Sequence, residues 1–353
     1  MNAKILQDYY KGTIMINIDG ARGEGGGQML RTSLSLAASL GKPLRIKNIR
    51  QGRKKPGLMR QHLASVKAMA EICDAQVNGA FVGSQEIEFI PGNIKAGDYH
   101  FAIGTAGSST LVFQTVLPAL LLTGKPSRLI LEGGTHNPMA PSFDFIQHSF
   151  LPVLEQMGAK FNAKIDRYGF YPAGGGKWTI TINPPRNFQK VILENQGILL
   201  NSQAKCMASR IPGHVLIREK KQLLKRLNWP EESITLETVE SPGPGNIISL
   251  QVRYPDITEV VESIGERGIS AEQVADKAAD ELINYQSLGA PIGCYLADQL
   301  LLPLSLGAGG SFVTGPLSEH SRTNIAVIRQ FMNVEINVVE IDPGRQWRVE
   351  VSV

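Results

Sequence analysis

Apolar positions along the chain alternate between helical and strand spacing, and the alternation repeats. Gln28 to Leu40 carries its apolar residues at helical spacing and closes at Gly41-Lys42-Pro43, after which Leu44-Arg45-Ile46-Lys47 alternates as a strand does. Thr110 to Thr123 repeats the order, with Gly124-Lys125-Pro126 and the strand Arg128-Leu129-Ile130-Leu131 behind it. Each is followed by a proline-bearing loop (Lys55-Pro56-Gly57; Asn137-Pro138 with Pro141) and a second helix ending near an Ala-led strand. Those pairs are Arg60 to Cys73 with Ala75-Gln76-Val77, and Phe145 to Met157 with Ala159-Lys160-Phe161. The period is about 85 residues. A third copy follows the same order: Tyr295 to Leu306, Gly307-Ala308-Gly309-Gly310, Ser311 to Thr314, a helix from Ser321 to Phe331 and the strand Val334 to Asn337. Helix-strand units of this kind bury their helices on a sheet, which predicts an α/β architecture of repeated units.

Between the second and third copies the texture changes. A basic helix, Ile217 to Leu227, precedes the turn Ser241-Pro242-Gly243-Pro244-Gly245 and the strand Ile247 to Val252. An acidic helix then begins at Ser270, with Gln273 as its capping-box partner. We therefore expect residues 1–193 and 290–353 to form one repeat-built domain and residues 194–289 a smaller inserted one.

Charge sharpens this picture. Residues 25–70 hold no Asp or Glu but ten Lys and Arg: Arg31, Lys42, Arg45, Lys47, Arg50, Arg53, Lys54, Lys55, Arg60 and Lys67. The net charge of the whole chain is only +4, so charge is segregated, and acid dominates from Asp256 to Glu281. A polyanion-binding face belongs at the N-terminal stretch. That stretch opens on Arg22-Gly23-Glu24-Gly25-Gly26-Gly27-Gln28, where glycines let backbone N–H groups approach an anion at the start of a helix. No Walker sequence is present and the Rossmann fingerprint is only loosely matched. Glu24 beside a phosphate site makes sense if Mg²⁺ bridges the two, the alternative being a solvated turn residue. Arg50 and Arg53 stand in a loop, where planar forks can grip phosphate oxygens.

The remaining composition is that of an ordinary globular chain, 42% hydrophobic and 19% charged. Cys73, Cys206 and Cys294 are far apart with no CxxC, against a disulfide framework or structural zinc. Met1 to Lys11 lacks a signal-like apolar core, and the uncharged run Phe101 to Gly124 is interrupted too often by Gly, Ser, Gln and Pro for a membrane helix. We expect a cytoplasmic protein without membrane contact. Six histidines are scattered without metal-ligand spacing. His320 differs because Gly315-Pro316-Leu317-Ser318-Glu319 delivers it at a loop before a helix, where neutral imidazole can act as a nucleophile. Tyr295-Leu296-Ala297-Asp298-Gln299 reads either as the first turn of a core helix or as a stacking face with hydrogen-bonding groups.

Several of these stretches, in this order, resemble the RNA 3′-terminal phosphate cyclases: Asp19 to Gln28, Arg50 to Leu58 with Arg60-Gln61-His62-Leu63, Gly169 to Gly176, Tyr295 to Gln299, and His320-Ser321-Arg322-Thr323-Asn324. The resemblance covers nearly all of the chain after about residue 14. It implies βαβαββ-type units in a large domain, with a thioredoxin-like domain inserted before the last unit. It also implies an ATP-dependent ligase-type enzyme that turns an RNA 3′-phosphate into a 2′,3′-cyclic phosphate through a histidine-AMP adduct. By that resemblance His320 is the nucleophile and Glu24 holds Mg²⁺ or Mn²⁺. Arg31, Arg50 and Arg53 surround phosphates, and Gln114, Pro141, Tyr295, Leu296, Ala297, Asp298 and Gln299 form the ATP pocket, with Pro141 facing Tyr295 across the adenine. The implied partner is RNA with a 3′-phosphate end, and a homodimer is left open. Glu319, next to the nucleophile, would raise its pKa if it pointed inward. Two rivals share parts of this pattern: the cyclase-like scaffolds of ribosome assembly, which lack the histidine, and the enolpyruvate transferases, which share the repeat architecture.

Overall fold

One strand order recurs in three sheets of the computed structural model, which describes residues 14–353; the reading of Met1 to Lys11 lies outside the described residues. In the first unit β1 (Ile16–Asp19), α1 (Gly27–Leu40), β2 (Leu44–Lys47), α2 (Arg60–Cys73), β3 (Gln76–Asn78) and β4 (Ile87–Ile90) give a sheet ordered β1-β2-β4-β3. The first pair is parallel and the others antiparallel. The second unit repeats this with β5 (Asp98–Ala102), α3 (Ser109–Leu121) and β6 (Ser127–Gly133). A helical run α4, made of Phe143–Phe145, a π turn Ile146–Phe150 and Leu151–Gln156, then leads to β7 (Lys160–Arg167) and β8 (Gly176–Asn183). Residues on β8 alternate strictly between buried and half-exposed, the period-two signature of a sheet with one face on a core.

The third unit opens with β9 (Val191–Leu193), which pairs in parallel with β14 (Gly310–Thr314). Between them the chain builds a fourth sheet. It contains β10 (Asn201–Ser209), α5 (His214–Leu227), β11 (Ile234–Thr238), β12 (Gly245–Arg253), β13 (Thr258–Ile264) and α6 (Ala271–Leu288), in sheet order β11-β10-β12-β13. Only then do α7 (Cys294–Leu306), β14, α8 (Glu319–Phe331), β15 (Glu335–Asp342) and β16 (Gln346–Ser352) complete the third unit. The fourth sheet thus interrupts that unit after its first strand. The acid of this region is used locally, since Arg218 pairs with Glu272 and Arg226 with Asp276 and Asp280 across α5 and α6.

The architecture is mixed α/β with repeated units, as the sequence pattern implied. The helices of the three units pack on one another: α1 on α8 and α3, α2 on α3, and α7 on α3 and α8. The start of α8 differs from expectation. Ser318 accepts a hydrogen bond from Ser321 N–H (3.1 Å), so the helix begins at Glu319 and His320 lies in its first turn rather than in a loop. Among the described residues no helix is long and apolar enough to cross a membrane.

Candidate active site

Four helices bring their N-terminal ends to one place, and the side chains there are held by residues nearly three hundred positions away. On α8, His320 donates its Nδ1–H to the Gln28 carbonyl oxygen on α1. The orientation of that amide is fixed on its other side, where Gln28 Nε2 donates to Asp298 Oδ2 on α7 at 2.7 Å. Asn324 Nδ2 donates to the Asp298 carbonyl (2.8 Å), and Thr32 to Asn324 Oδ1 (2.6 Å). With Nδ1 occupied by hydrogen, Nε2 keeps the lone pair, and the ring is about half exposed.

The glycine turn is explained by crowding. A side chain at Gly26 would strike the Glu24 carboxylate and Arg53 Nη2, and one at Gly27 would strike His62 Nε2 and Arg31 Nη1. The turn is stitched to α8 by the Glu24 N–H, which donates to Thr323 Oγ1 at 3.1 Å. α1 begins at Gly27 with no side chain capping its first N–H groups, which leaves them for an anion. The Glu24 side chain is only 7% exposed, pairs with Arg53 and lies 3.7 Å from His320 Nδ1. Burial lowers the Arg31 guanidinium to about 10 against the pull of Glu24 and Asp298, and it stays charged at neutral pH. Burial also raises Asp298 to about 7, opposed by the Gln28 hydrogen bond and by Arg31.

Of the expected residues, Glu24, Arg31, Arg53, Asp298 and His320 are drawn together. Gln114 on α3 donates to Gln299 on α7, whose amide donates to the Tyr295 carbonyl (2.6 Å), and Tyr295 is 58% exposed at the start of α7. Thr110, one turn before Gln114, donates to the Pro141 carbonyl at 2.6 Å, so Pro141 and Tyr295 are anchored to the same stretch of α3. Leu296 and Ala297 turn into the core and offer no side chain to a ligand. Arg50 donates from Nη1 to the carbonyls of Lys55 and Gly57 (2.8 and 2.9 Å), bracing its own loop with half of its fork. Glu319 is exposed and sits 3.8 Å from Arg322, so the inward-pointing carboxylate beside His320 is Glu24.

Two residues carry more than the sequence indicated. Gln28 has no chemical signature of its own until α1 meets α8. His62 seemed one scattered histidine among six, yet Met59 N–H donates to its Nδ1 (3.2 Å), which puts the ring hydrogen on Nε2 facing the glycine turn. Burial, with Arg31 and Arg50 nearby, pushes it down to about 3, so it stays neutral. The basic stretch is also less free than its composition implied. Arg45 and Lys47 pair with Glu86 and Glu88 on and beside β4, and Lys42 binds the Phe331 carbonyl.

A sequence model described as RNA 3′-terminal phosphate cyclase matches residues 22–338. The chain belongs to the RNA 3′-terminal phosphate cyclase family. Relatives named RNA 3′-terminal phosphate cyclase occur in Ectopseudomonas mendocina, 48% identical over 95% of this chain and 98% of the relative, and in Koribacter versatilis, 47% identical over 94% and 93%. A third, from Pseudomonas fluorescens, is 46% identical over 91% of this chain and 94% of its own. Among solved structures, the enolpyruvyl transferase NikO from Streptomyces tendae aligns with a TM-score of 0.39 at 10% identity, covering 96% of this chain and 48% of that one. The matched range runs from the glycine turn to beyond His320.

Proposed function

We propose that this protein is an ATP-dependent cyclase of RNA 3′-phosphate ends, acting through His320. The observation that carries the reading is the chain His320 to Gln28 to Asp298, which presents Nε2 with its lone pair outward among helix N-termini and buried cations. Nε2 would form a bond to the α-phosphorus of ATP as the bond to pyrophosphate breaks. An RNA 3′-phosphate oxygen would then attack the same phosphorus, releasing Nε2, and the neighbouring 2′-hydroxyl would displace AMP to close the ring. That closure needs little beyond positioning, since both groups sit on one ribose. Tyr295 and Pro141 would flank the adenine, with Gln114, Asp298 and Gln299 at its polar edges, while Arg31, Arg53 and the first N–H groups of α1 would hold phosphate.

A divalent cation fits this donor set in one way. Among the described residues no three acidic, His or Cys side chains form a metal cluster, but a hard cation is commonly held by one or two carboxylates plus substrate phosphates. Glu24 is the carboxylate placed for that role, and Mg²⁺ or Mn²⁺ there would neutralise phosphate charge. The family membership is in keeping with RNA as partner, and a cytoplasmic location belongs to the same proposal.

Incubation with α-labelled ATP tests the reading. Acid-labile label should appear on the wild-type chain, disappear in His320→Ala without loss of fold, and pass to AMP when a 3′-phosphorylated RNA is added. Label retained by His320→Ala would overturn the assignment of the nucleophile, and an unlabelled wild type would leave a binding scaffold as the better description.

A further inference from the structure

The polar face of the fourth sheet carries a cavity that the candidate active site does not use. It has a volume of ≈ 810 Å³ and opens over β10, β11 and β12 between Leu199-Leu200 on one side and Trp229-Pro230 on the other, within the range of small-molecule sites, roughly 300–1,000 Å³. We propose that it binds a base of single-stranded RNA, upstream of the 3′ end that the candidate active site would take; this rests on the RNA reading above.

Hydrogen-bonding chemistry supports a base. Gln203 Nε2 donates to Gln251 Oε1 at 2.8 Å, which leaves the Gln203 carbonyl oxygen and the Gln251 amino group with capacity for a ligand. An acceptor beside a donor matches the polar edge of a nucleobase, and unstacked bases of single-stranded RNA are read by such edges together with aromatic faces. Ser249, on the same strand face as Gln251, is fully buried, lines the cavity and has no partner for its hydroxyl. Its oxygen is closed off from the cavity as it stands, so the polar contacts offered to a ligand are those of Gln203 and Gln251. Trp229 supplies an aromatic wall.

Charge selects the base rather than the phosphate. Among the described residues Lys205 is the one cation lining the cavity, and Asp144 already holds it at 3.2 Å. Glu232 and Glu237 add negative charge to the lining, which disfavours a phosphate and suits the uncharged part of a nucleotide. Location suits the same chain of RNA. Ser249 stands opposite Glu262 across β12 and β13, Glu262 accepts from Ser142, and Ser142 follows Pro141. One inter-strand step of about 4.8 Å and one hydrogen bond thus separate the cavity from the loop assigned to the adenine.

The test uses the full chain and a fluorescein-labelled single-stranded RNA decamer ending in a 3′-hydroxyl, which binds without turnover. Trp229→Ala should weaken binding about tenfold, Trp229→Phe should restore most of it, and Gln203→Ala, an exposed position whose loss leaves no cavity in the core, should weaken it several-fold. A decamer with abasic sites should bind wild type as weakly as the intact decamer binds the variants. The KM for cyclisation of a nucleoside 3′-monophosphate, which carries no upstream base, should be unchanged in all variants. Variants that bind the decamer as tightly as wild type, or abasic RNA that binds as well as intact RNA, would overturn the proposal. The labelled-ATP adduct is read in parallel: its absence from wild type would overturn the catalytic reading, while base-dependent binding at Trp229 would still uphold the pocket.

Discussion

Gln28 decides which nitrogen of His320 is available. Its carbonyl takes the Nδ1 hydrogen and its amino group is pinned by Asp298. Gln28→Leu removes both contacts at similar volume and frees the ring to adopt the wrong tautomer. Hydrogen bonds of this kind are worth about 1.5–3 kcal/mol when charge develops on one partner, so adenylation should slow roughly 10- to 100-fold with little change in ATP binding. Single-turnover label transfer measures this, and an unchanged rate would mean that another group sets the tautomer. The sequence announced His320 and Glu24 because their residue types carry chemistry. It placed Gln28 and His62 in matching stretches but gave neither a role, since a glutamine and a neutral histidine gain one only from what lies opposite them. Composition likewise does not reveal that half of the Arg50 fork is spent on backbone carbonyls.

At the scale of elements, the site is set by helix starts at matched depth. Gln114 and Gln299 each lie five residues after the first residue of α3 and α7, and they hydrogen-bond to each other. Thr32 and Asn324 stand at the same depth in α1 and α8 and are likewise joined. Helix spacing and turn residues made these helices legible. Their boundaries were less so, because Ser318 capping moved α8 upstream of His320. The strands β4, β5 and β9 were missed because they are short, and β8 and β16 were missed although Trp178 to Ile182 and Trp347 to Val351 alternate as strands do. The turn between β1 and α1 gives a test at this scale. Gly23 has φ +59°, and a side chain there would strike Thr323 Oγ1. Gly23→Ala should therefore cost about 1–3 kcal/mol of stability and lower adenylation by uncoupling Glu24 from α8. Thermal melting with the adduct assay checks both, and a wild-type melting temperature would show that the turn relaxes freely. On the loop before α2, Lys54 and Lys55 are exposed and, among the described residues, pair with no acid, unlike Arg45 and Lys47. Replacing both with Ala should flatten the log–log salt dependence of RNA binding by about 0.7 per lost phosphate contact and leave adduct formation from ATP intact. An unaltered slope would direct the RNA backbone over another surface.

For the molecule as a whole, buried acids set a pH limit. Burial raises Glu259 and Glu262 to about 8, and Glu219 and Asp298 to about 7. In each the folded value lies above the unfolded one, so the folded chain holds more protons and their contribution to stability is complete below the ordinary carboxylate range. It is lost as pH rises through 7 and 8. Urea midpoints should fall between pH 6 and 9, and Glu259→Gln with Glu262→Gln should flatten that limb; an equally steep limb in the double variant would place the cause elsewhere. The repeat and the change of texture after residue 193 were legible at this scale because both are statements about order along the chain. The packing of three units helix against helix was not, since it depends on pairs hundreds of residues apart.

That separation has a consequence for how activity arises during synthesis. Glu24, Gln28 and Thr32 emerge from the ribosome early, while Thr323, His320 and Asn324, which complete their hydrogen bonds, come nearly three hundred residues later. Long-range contacts of this kind form late and slowly. A nascent chain, or one cut short by a premature stop before codon 320, holds the anion-binding turn without the proposed nucleophile. On the proposed mechanism, adenylation would then require α8 to have been made, and a fragment lacking it would keep the basic stretch but could not consume ATP.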